Sequence, residues 1–230
     1  MKTIGLIGGM SWESTVTYYQ IINETVKSQL GGLHSAKLLL YSVDFAEIEE
    51  CQVKGEWNRS ADILSDAAQK LEKAGADFIV ICTNTMHKVS YQIQKKINIP
   101  ILHIADSTAE KLKENDIHTV ALLGTKYTMI QDFYKERIEK YGIRVIIPDD
   151  KDIELINNVI YEELCLGIID EEAKSEFIRV INSMKKQGAE GVILGCTEIG
   201  LLIHQSDSML PVFDTAQIHA HNAAMMGIED

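Results

Sequence analysis

The sequence predicts an α/β protein made of two similar doubly wound lobes, each with a mostly parallel four-stranded sheet. Two observations lead there. Strand-like and helix-like segments alternate along the chain, the pattern of a parallel sheet with crossover helices. That pattern then recurs. Thr3–Gly9 (TIGLIGG) reads like Thr119–Thr125 (TVALLGT), Ala74–Thr83 reads like Gln187–Cys196, and Ile99–Leu102 reads like Leu210–Phe213, at offsets of 116, 113 and 111 residues. Three matches in one order with drifting offsets point to a duplicated lobe. The first lobe is expected over residues 1–100, rejoined by 211–230, and the second over 116–208. Two lobes related by a pseudo-two-fold would face each other across a cleft. Ligands of such sheets bind beyond the carboxyl ends of the strands.

Each element has its own signal. Lys2–Ile7 is a β-rich apolar run that ends in Gly8-Gly9. Ser14–Leu30 has helical spacing and stops at Gly31-Gly32. Lys37–Val43 is strand-like, Asn58–Ala74 is an amphipathic helix stopped by Gly75, and Asp77–Ile81 is a buried strand. His87–Lys96 reads as helix, Ile99–His103 as strand and Ser107–Asn115 as helix. Ile48–Trp57 reads as a loop or helix that closes over the cleft.

Composition narrows the function. The 230 residues are 46% hydrophobic and 24% charged, as in ordinary globular proteins. With 34 acidic and 22 basic residues the net charge is −12, a surface that repels phosphate backbones, so no nucleic-acid partner is expected. No apolar run is long enough to span a membrane, and the N-terminal run lacks a cleavage site, so the expected location is cytoplasmic. The cysteines Cys51, Cys82, Cys165 and Cys196 have no paired spacing. They read as free thiols, with neither a disulfide framework nor a metal site. Gly8-Gly9 is not followed by the glycines of a dinucleotide loop.

The repeat makes Thr83 and Cys196 equivalent, each just after a buried strand and before a helical turn. Two groups on facing lobes would meet a ligand from opposite sides. Inversion of a carbon stereocentre needs that arrangement, with a proton taken from one face and delivered to the other. Cysteine suits the task when its pKa is tuned from about 8.5 toward working pH, and a helix N-terminus can supply part of the tuning. The turn amides can hold a carboxylate and the charge that spreads onto it.

Gly8–Thr15 (GGMSWEST), Asn84-Thr85-Met86-His87 and Gly195-Cys196-Thr197-Glu198 resemble the signatures of the aspartate/glutamate racemase family. The resemblance runs from the first strand to Pro211–His219. It implies two α/β lobes, no pyridoxal phosphate, no cofactor, a homodimer, and a small amino acid as substrate, aspartate or glutamate. It also implies a thiol from each lobe, with that of the second lobe facing the α-hydrogen of the L-enantiomer. This chain departs from the pattern in two places. Thr83 stands where the family has its first cysteine, and Cys82 lies one residue earlier, where strand alternation turns it behind the sheet. Cys165 stands where related racemases often have a lysine, which leaves room for broader specificity.

Cys196 and Thr83 are therefore the expected acid/base pair. Met10, Ser11, Gln52, Asn84, Thr85, Thr125, Thr197 and Glu198 are the expected substrate-binding residues. Ser11 reads equally as a helix N-cap, and Glu198 as a first-turn residue placed for the helix dipole. Lys54 is a further candidate beside Gln52, Asp44 reads either as a thiol-assisting residue or a cap, and His87 as a structural histidine. Two alternatives stay open. One good thiol suffices for a related isomerase or decarboxylase of small carboxylates, and the same scaffold could serve a non-catalytic amino-acid-binding protein.

Overall fold

The computed structural model describes residues 1–229. The chain divides into two compact units, Met1–Ile104 with the chain from His219 onward, and Ala105–Ile218. In the first, β1 (Ile4–Gly8), β2 (Leu38–Ser42), β3 (Phe78–Ile81) and β4 (Ile101–Leu102) form a parallel sheet in the order β2-β1-β3-β4. In the second, β5 (Thr119–Gly124), β6 (Arg144–Ile146), β7 (Gly191–Gly195) and β8 (Val212–Asp214) form another in the order β6-β5-β7-β8. The two orders are the same, as the internal repeat predicts.

The central strands explain their own sequences. Every residue of β1 and of β7 is buried. A strand covered on both faces must be apolar throughout, which is why neither segment alternates. Helices α1 (Trp12–Leu30), α2 (Phe45–Lys54), α3 (Trp57–Lys73) and α4 (Ser90–Gln94) belong to the first unit. On α3 the buried face is Ala61, Leu64, Ala67, Ala68 and Leu71, which join Ile79 and Ile81 of β3 in one core. The second unit contains α6 (Lys126–Ile130), α7 (Asp132–Glu139), α8 (Asp150–Glu162), α9 (Glu171–Lys186) and α10 (Ile199–Leu202). Phe177, Val180, Ile181 and Met184 of α9 pack with Leu123, Val192 and Leu194. Each such side chain contributes about 1.5–3 kcal/mol by leaving water. Asp170 caps α9, and Arg179 grips Asp152 of α8 through two hydrogen bonds of 2.6 and 3.2 Å.

Several boundaries move. The segment 211–230 does not return whole to the first unit: β8 pairs in parallel with β7, Val192 beside Val212, so residues up to Ile218 stay with the second. The match between Ile99–Leu102 and Leu210–Phe213 was the better guide, because each supplies the fourth strand of its own sheet. The division falls inside α11 (Thr215–Ile228), and Lys2 N–H then donates to Gly227 O at 2.8 Å. Helix α5 (Ile104–Glu114) joins the second unit from Ala105 on, held by the Arg137–Asp106 pair at 2.6 Å. Of the two readings of Ile48–Trp57 the helix holds as far as Lys54: α2 is capped by Asp44, which accepts from Ala46 N, and ends at Gly55. The expected helix over His87–Lys96 is a 3₁₀ turn, Thr85–Val89, followed by the five residues of α4. Among the described residues no helix is long and apolar enough to cross a membrane.

Two buried side chains tie α11 to the first unit. Tyr18 OH donates to His219 Nδ1 at 2.9 Å, and His219 Nε2–H donates to Leu102 O at 2.9 Å. The carbonyl can only accept, so Nε2 carries a proton, and burial keeps the ring neutral, which leaves Nδ1 to accept from Tyr18. Burial first, and the neighbouring His87 second, push its pKa down from 6.5 to about 3. The unfolded chain therefore takes up a proton below pH 6.5 that the folded protein refuses, and the stability this provides is lost as pH falls toward 3. Urea unfolding should show a loss of roughly 1.4 kcal/mol per pH unit as the pH is lowered from neutrality to about 5. A His219→Gln variant, less stable at neutral pH, should show a shallower decline.

Candidate active site

The carboxyl ends of the two sheets are built alike. After β1 the chain turns at Gly9, whose φ is 91° and where a Cβ would lie 2.2 Å from Val43 O. At Gly8 a Cβ would lie 2.3 Å from Thr15 Cγ2. Only glycines let the turn close on α1. Thr15 Oγ1 accepts from Gly9 N at 2.9 Å and donates to Ser11 O at 2.8 Å. Ser11 is the N-cap of α1, accepting from Ser14 N, and Met10 and Ser11 are both buried. In the second unit Thr125 is the equivalent N-cap, of α6, and its hydroxyl lies 3.2 Å from that of Thr128.

The sheet register fixes which residues correspond. Gly124 sits beside Gly195, and Gly8 is the repeat partner of Gly124. Ile7 sits beside Ile81, so one step further places Cys82 beside Gly8, where Cys82 N–H donates to Ile7 O at 2.9 Å. Cys82 therefore matches Gly195, and Thr83 matches Cys196. Cys82 is fully buried with its thiol directed to Val80 O at 3.9 Å, and burial holds its pKa far above the ordinary thiol value. Thr83 is partly exposed. Asn84 and Thr85 follow it, both buried. Gln52 of α2 reaches the same turn, donating from Nε2 to Met86 Sδ at 3.2 Å. Lys54 pairs with Glu50 on the exposed side of α2.

In the second unit three candidates converge on one oxygen. Cys196 Sγ donates to Glu198 Oε2 at 2.8 Å, and Thr197 Oγ1 donates to the same atom at 2.9 Å. All three residues are buried. Burial is the main cause that drives the Cys196 thiol well above its ordinary pKa. The Glu198 charge adds to it, then Cys165 and the hydrogen bond to Glu198, while the Glu198 backbone N–H pulls the other way. Cys165, half-buried in the 3₁₀ turn Leu164–Leu166, packs against the core cluster that holds Cys196.

This reverses an expectation. The thiol was expected to be tuned downward by a helix N-terminus. The elements that follow Thr83 and Cys196 are a 3₁₀ turn and the four-residue α10, too short for a substantial dipole. The thiol is instead kept as S–H, with a carboxylate placed to receive its proton. Transfer from sulphur to Glu198 would create a thiolate beside a neutral carboxyl, with no change in net charge.

Sequence reasoning missed the surroundings of Thr83. His87 Nδ1 lies 2.8 Å from Thr83 O, and its ring centroid is 4.4 Å from that of His103 and 5.7 Å from that of His219. His103 and His219 lie far from His87 in sequence, and only the turn of the fold brings them together. Among the described residues no His/Cys/Asp/Glu cluster is placed to hold a metal ion.

Two doubly wound units, with Thr83 two residues past β3 in one and Cys196 one residue past β7 in the other, define a class of α/β proteins. The Asp/Glu/Hydantoin racemase family model matches residues 7–223, and the chain belongs to that family. A Yersinia pestis protein provisionally described as an Asp/Glu racemase is 56% identical, with a TM-score of 0.93 over 100% of both chains. An aspartate racemase homologue from Pyrococcus horikoshii is 38% identical, with a TM-score of 0.87 and the same coverage. The broad specificity amino-acid racemase RacX of Bacillus subtilis is 23% identical over 225 residues, 93% of this chain and 92% of that protein.

The Glu198 pair makes a test. Glu198→Gln removes a charge that raises the thiol pKa. The pH midpoint for alkylation of Cys196 by iodoacetamide, followed by mass spectrometry of the peptide, should move down. Turnover should fall, because an amide cannot take the thiol proton. An unmoved or raised midpoint would contradict the assigned role of the Glu198 charge.

Proposed function

We propose that this protein is an amino acid racemase that works without pyridoxal phosphate or metal, acting on aspartate, glutamate or both by two-base proton transfer. The observation that carries the reading is the Cys196 thiol hydrogen-bonded to Glu198, with Thr83 at the equivalent strand end of the other sheet. In this reading Glu198 takes the Cys196 proton, and the thiolate removes the α-hydrogen of the L-enantiomer. The developing carbanion spreads onto the substrate carboxylate, which polar groups of the strand-end turns stabilise, with Thr125 and Thr197 the candidates in the second unit, Ser11, Asn84 and Thr85 those in the first, and Met10 an apolar neighbour of the first-unit turn. Thr83 delivers a proton to the opposite face, and water returns a proton to Thr83 as Glu198 gives one up, which restores the starting state. A hydroxyl is a poorer acid and base than a thiol, so the two half-reactions run at unequal intrinsic speed. Gln52 is the amide available to a side-chain carboxylate from α2, and the uncharged Cys165 admits other side chains.

The wider setting is part of the same proposal. A reducing cytoplasm keeps Cys196 as a thiol. A homodimer is supported by the apolar stripe that α1 leaves exposed, Trp12, Val16 and Tyr19, at helical spacing. The acidic surface disfavours nucleic acid and anionic membranes as partners.

Chiral chromatography of products from each enantiomer of aspartate and glutamate tests the reading. Wild-type protein should convert each enantiomer of at least one of these acids into the other. Cys196→Ala should lower turnover by about 10³-fold or more, since removal of a general acid/base typically costs 10²–10⁴. Thr83→Cys should raise turnover by restoring a symmetric pair. Wild-type turnover in Cys196→Ala would sink the mechanism.

A further inference from the structure

The Thr83 turn is held by imidazoles rather than by a long helix. His87 Nδ1 lies 2.8 Å from Thr83 O, and Ile104 N–H donates to His87 Nε2 at 3.2 Å. A carbonyl can only accept and a backbone N–H can only donate. Both contacts are satisfied together only when His87 is neutral with its proton on Nδ1. A second imidazole grips the same junction, because His219 Nε2–H donates to Leu102 O, two residues before Ile104. His103 lies between these two backbone anchors, its ring 4.4 Å from that of His87. His87, His103 and His219 are all buried. The strand-end turn that carries Thr83 is thereby clipped to the β4–α5 junction.

We propose that His87 is a positioning residue for Thr83, its neutral imidazole fixing the Thr83 carbonyl and hence the direction of the Thr83 hydroxyl. The inference rests on the reading of Thr83 as the second proton-transfer group. His87 is not the base that activates that hydroxyl: its Nδ1 proton is committed to the Thr83 carbonyl and its Nε2 lone pair to Ile104. It acts through the backbone. A displaced turn would lose alignment with the α-carbon, and misplacement by about 1 Å can cost on the order of 10²-fold in rate. The loss should fall on one face of the substrate only.

The test uses full-length protein. Nitrogen-15 NMR of the wild-type imidazoles should find the His87 proton on Nδ1, and a proton on Nε2 would overturn the proposal. Deuterium wash-in at the α-carbon is then measured from each enantiomer in His87→Ala and His87→Gln. Glutamine keeps one donor and one acceptor at a similar reach. Alanine should slow exchange of the D-enantiomer by about tenfold or more, with KM little changed and exchange of the L-enantiomer within about twofold of wild type. Glutamine should recover most of the loss. Equal losses for both enantiomers, no loss, or no rescue by glutamine would overturn the proposal. If wild-type protein exchanges no substrate, the racemase reading fails first. Amide hydrogen exchange over Thr83–Thr85 then decides: faster in His87→Ala and restored in His87→Gln supports the clip, and no change in His87→Ala overturns it.

Discussion

One hydrogen bond organises the chemistry of the second unit, the 2.8 Å contact from Cys196 Sγ to Glu198 Oε2. A buried thiol has no water to stabilise its anion, and a carboxylate nearby opposes that anion further. The same carboxylate is placed to accept the thiol proton at that distance. In the proposed mechanism the site stores its proton on sulphur and keeps the acceptor in contact. Thr197 shares the accepting oxygen and helps to orient it. The glycines before the turn serve this geometry. At Gly124 a Cβ would lie 2.9 Å from Gly195 O, so β5 and β7 approach closely where Thr125 and Cys196 emerge.

The first unit repeats the frame with different chemistry. Its sheet has the same strand order, and its register brings Thr83 to the position that Cys196 holds. A hydroxyl there has no carboxylate partner like Glu198 in its own turn. What it has is a backbone held by His87. In the proposed mechanism the two strand-end turns differ in kind, one organised around an acid/base couple and the other around a fixed turn. For a racemase the equilibrium constant is near one, so kcat/KM must be equal for the two enantiomers. Unequal groups reveal themselves in exchange and not in that ratio.

Much of this was legible in the residues. The repeat of Thr3–Gly9 at Thr119–Thr125 carried the architecture, because a parallel strand buried on both faces has few acceptable sequences and a tight strand-to-helix turn requires glycine. The alternation of a strand was enough to separate a buried Cys82 from a partly exposed Thr83. Other features depend on distant contacts. The upward shift of the Cys196 thiol comes from burial by residues scattered through the second unit, which no local motif encodes. The 3₁₀ geometry of Thr85–Val89 was hidden because its residues suit a helix equally well. The clustering of His87 with His103 and His219 follows from the β4–α5 junction and α11 meeting at one place, a consequence of topology alone.

The central claim is an unequal pair of proton-transfer groups, Cys196 efficient and Thr83 slow. Proton NMR of the wild-type protein in D2O, starting from each pure enantiomer of aspartate and glutamate, tests it most directly. The account predicts that the α-proton of the L-enantiomer disappears faster than inversion proceeds, while exchange of the D-enantiomer does not outrun inversion. Equal excess exchange from both enantiomers, or an excess confined to the D-enantiomer, would contradict it.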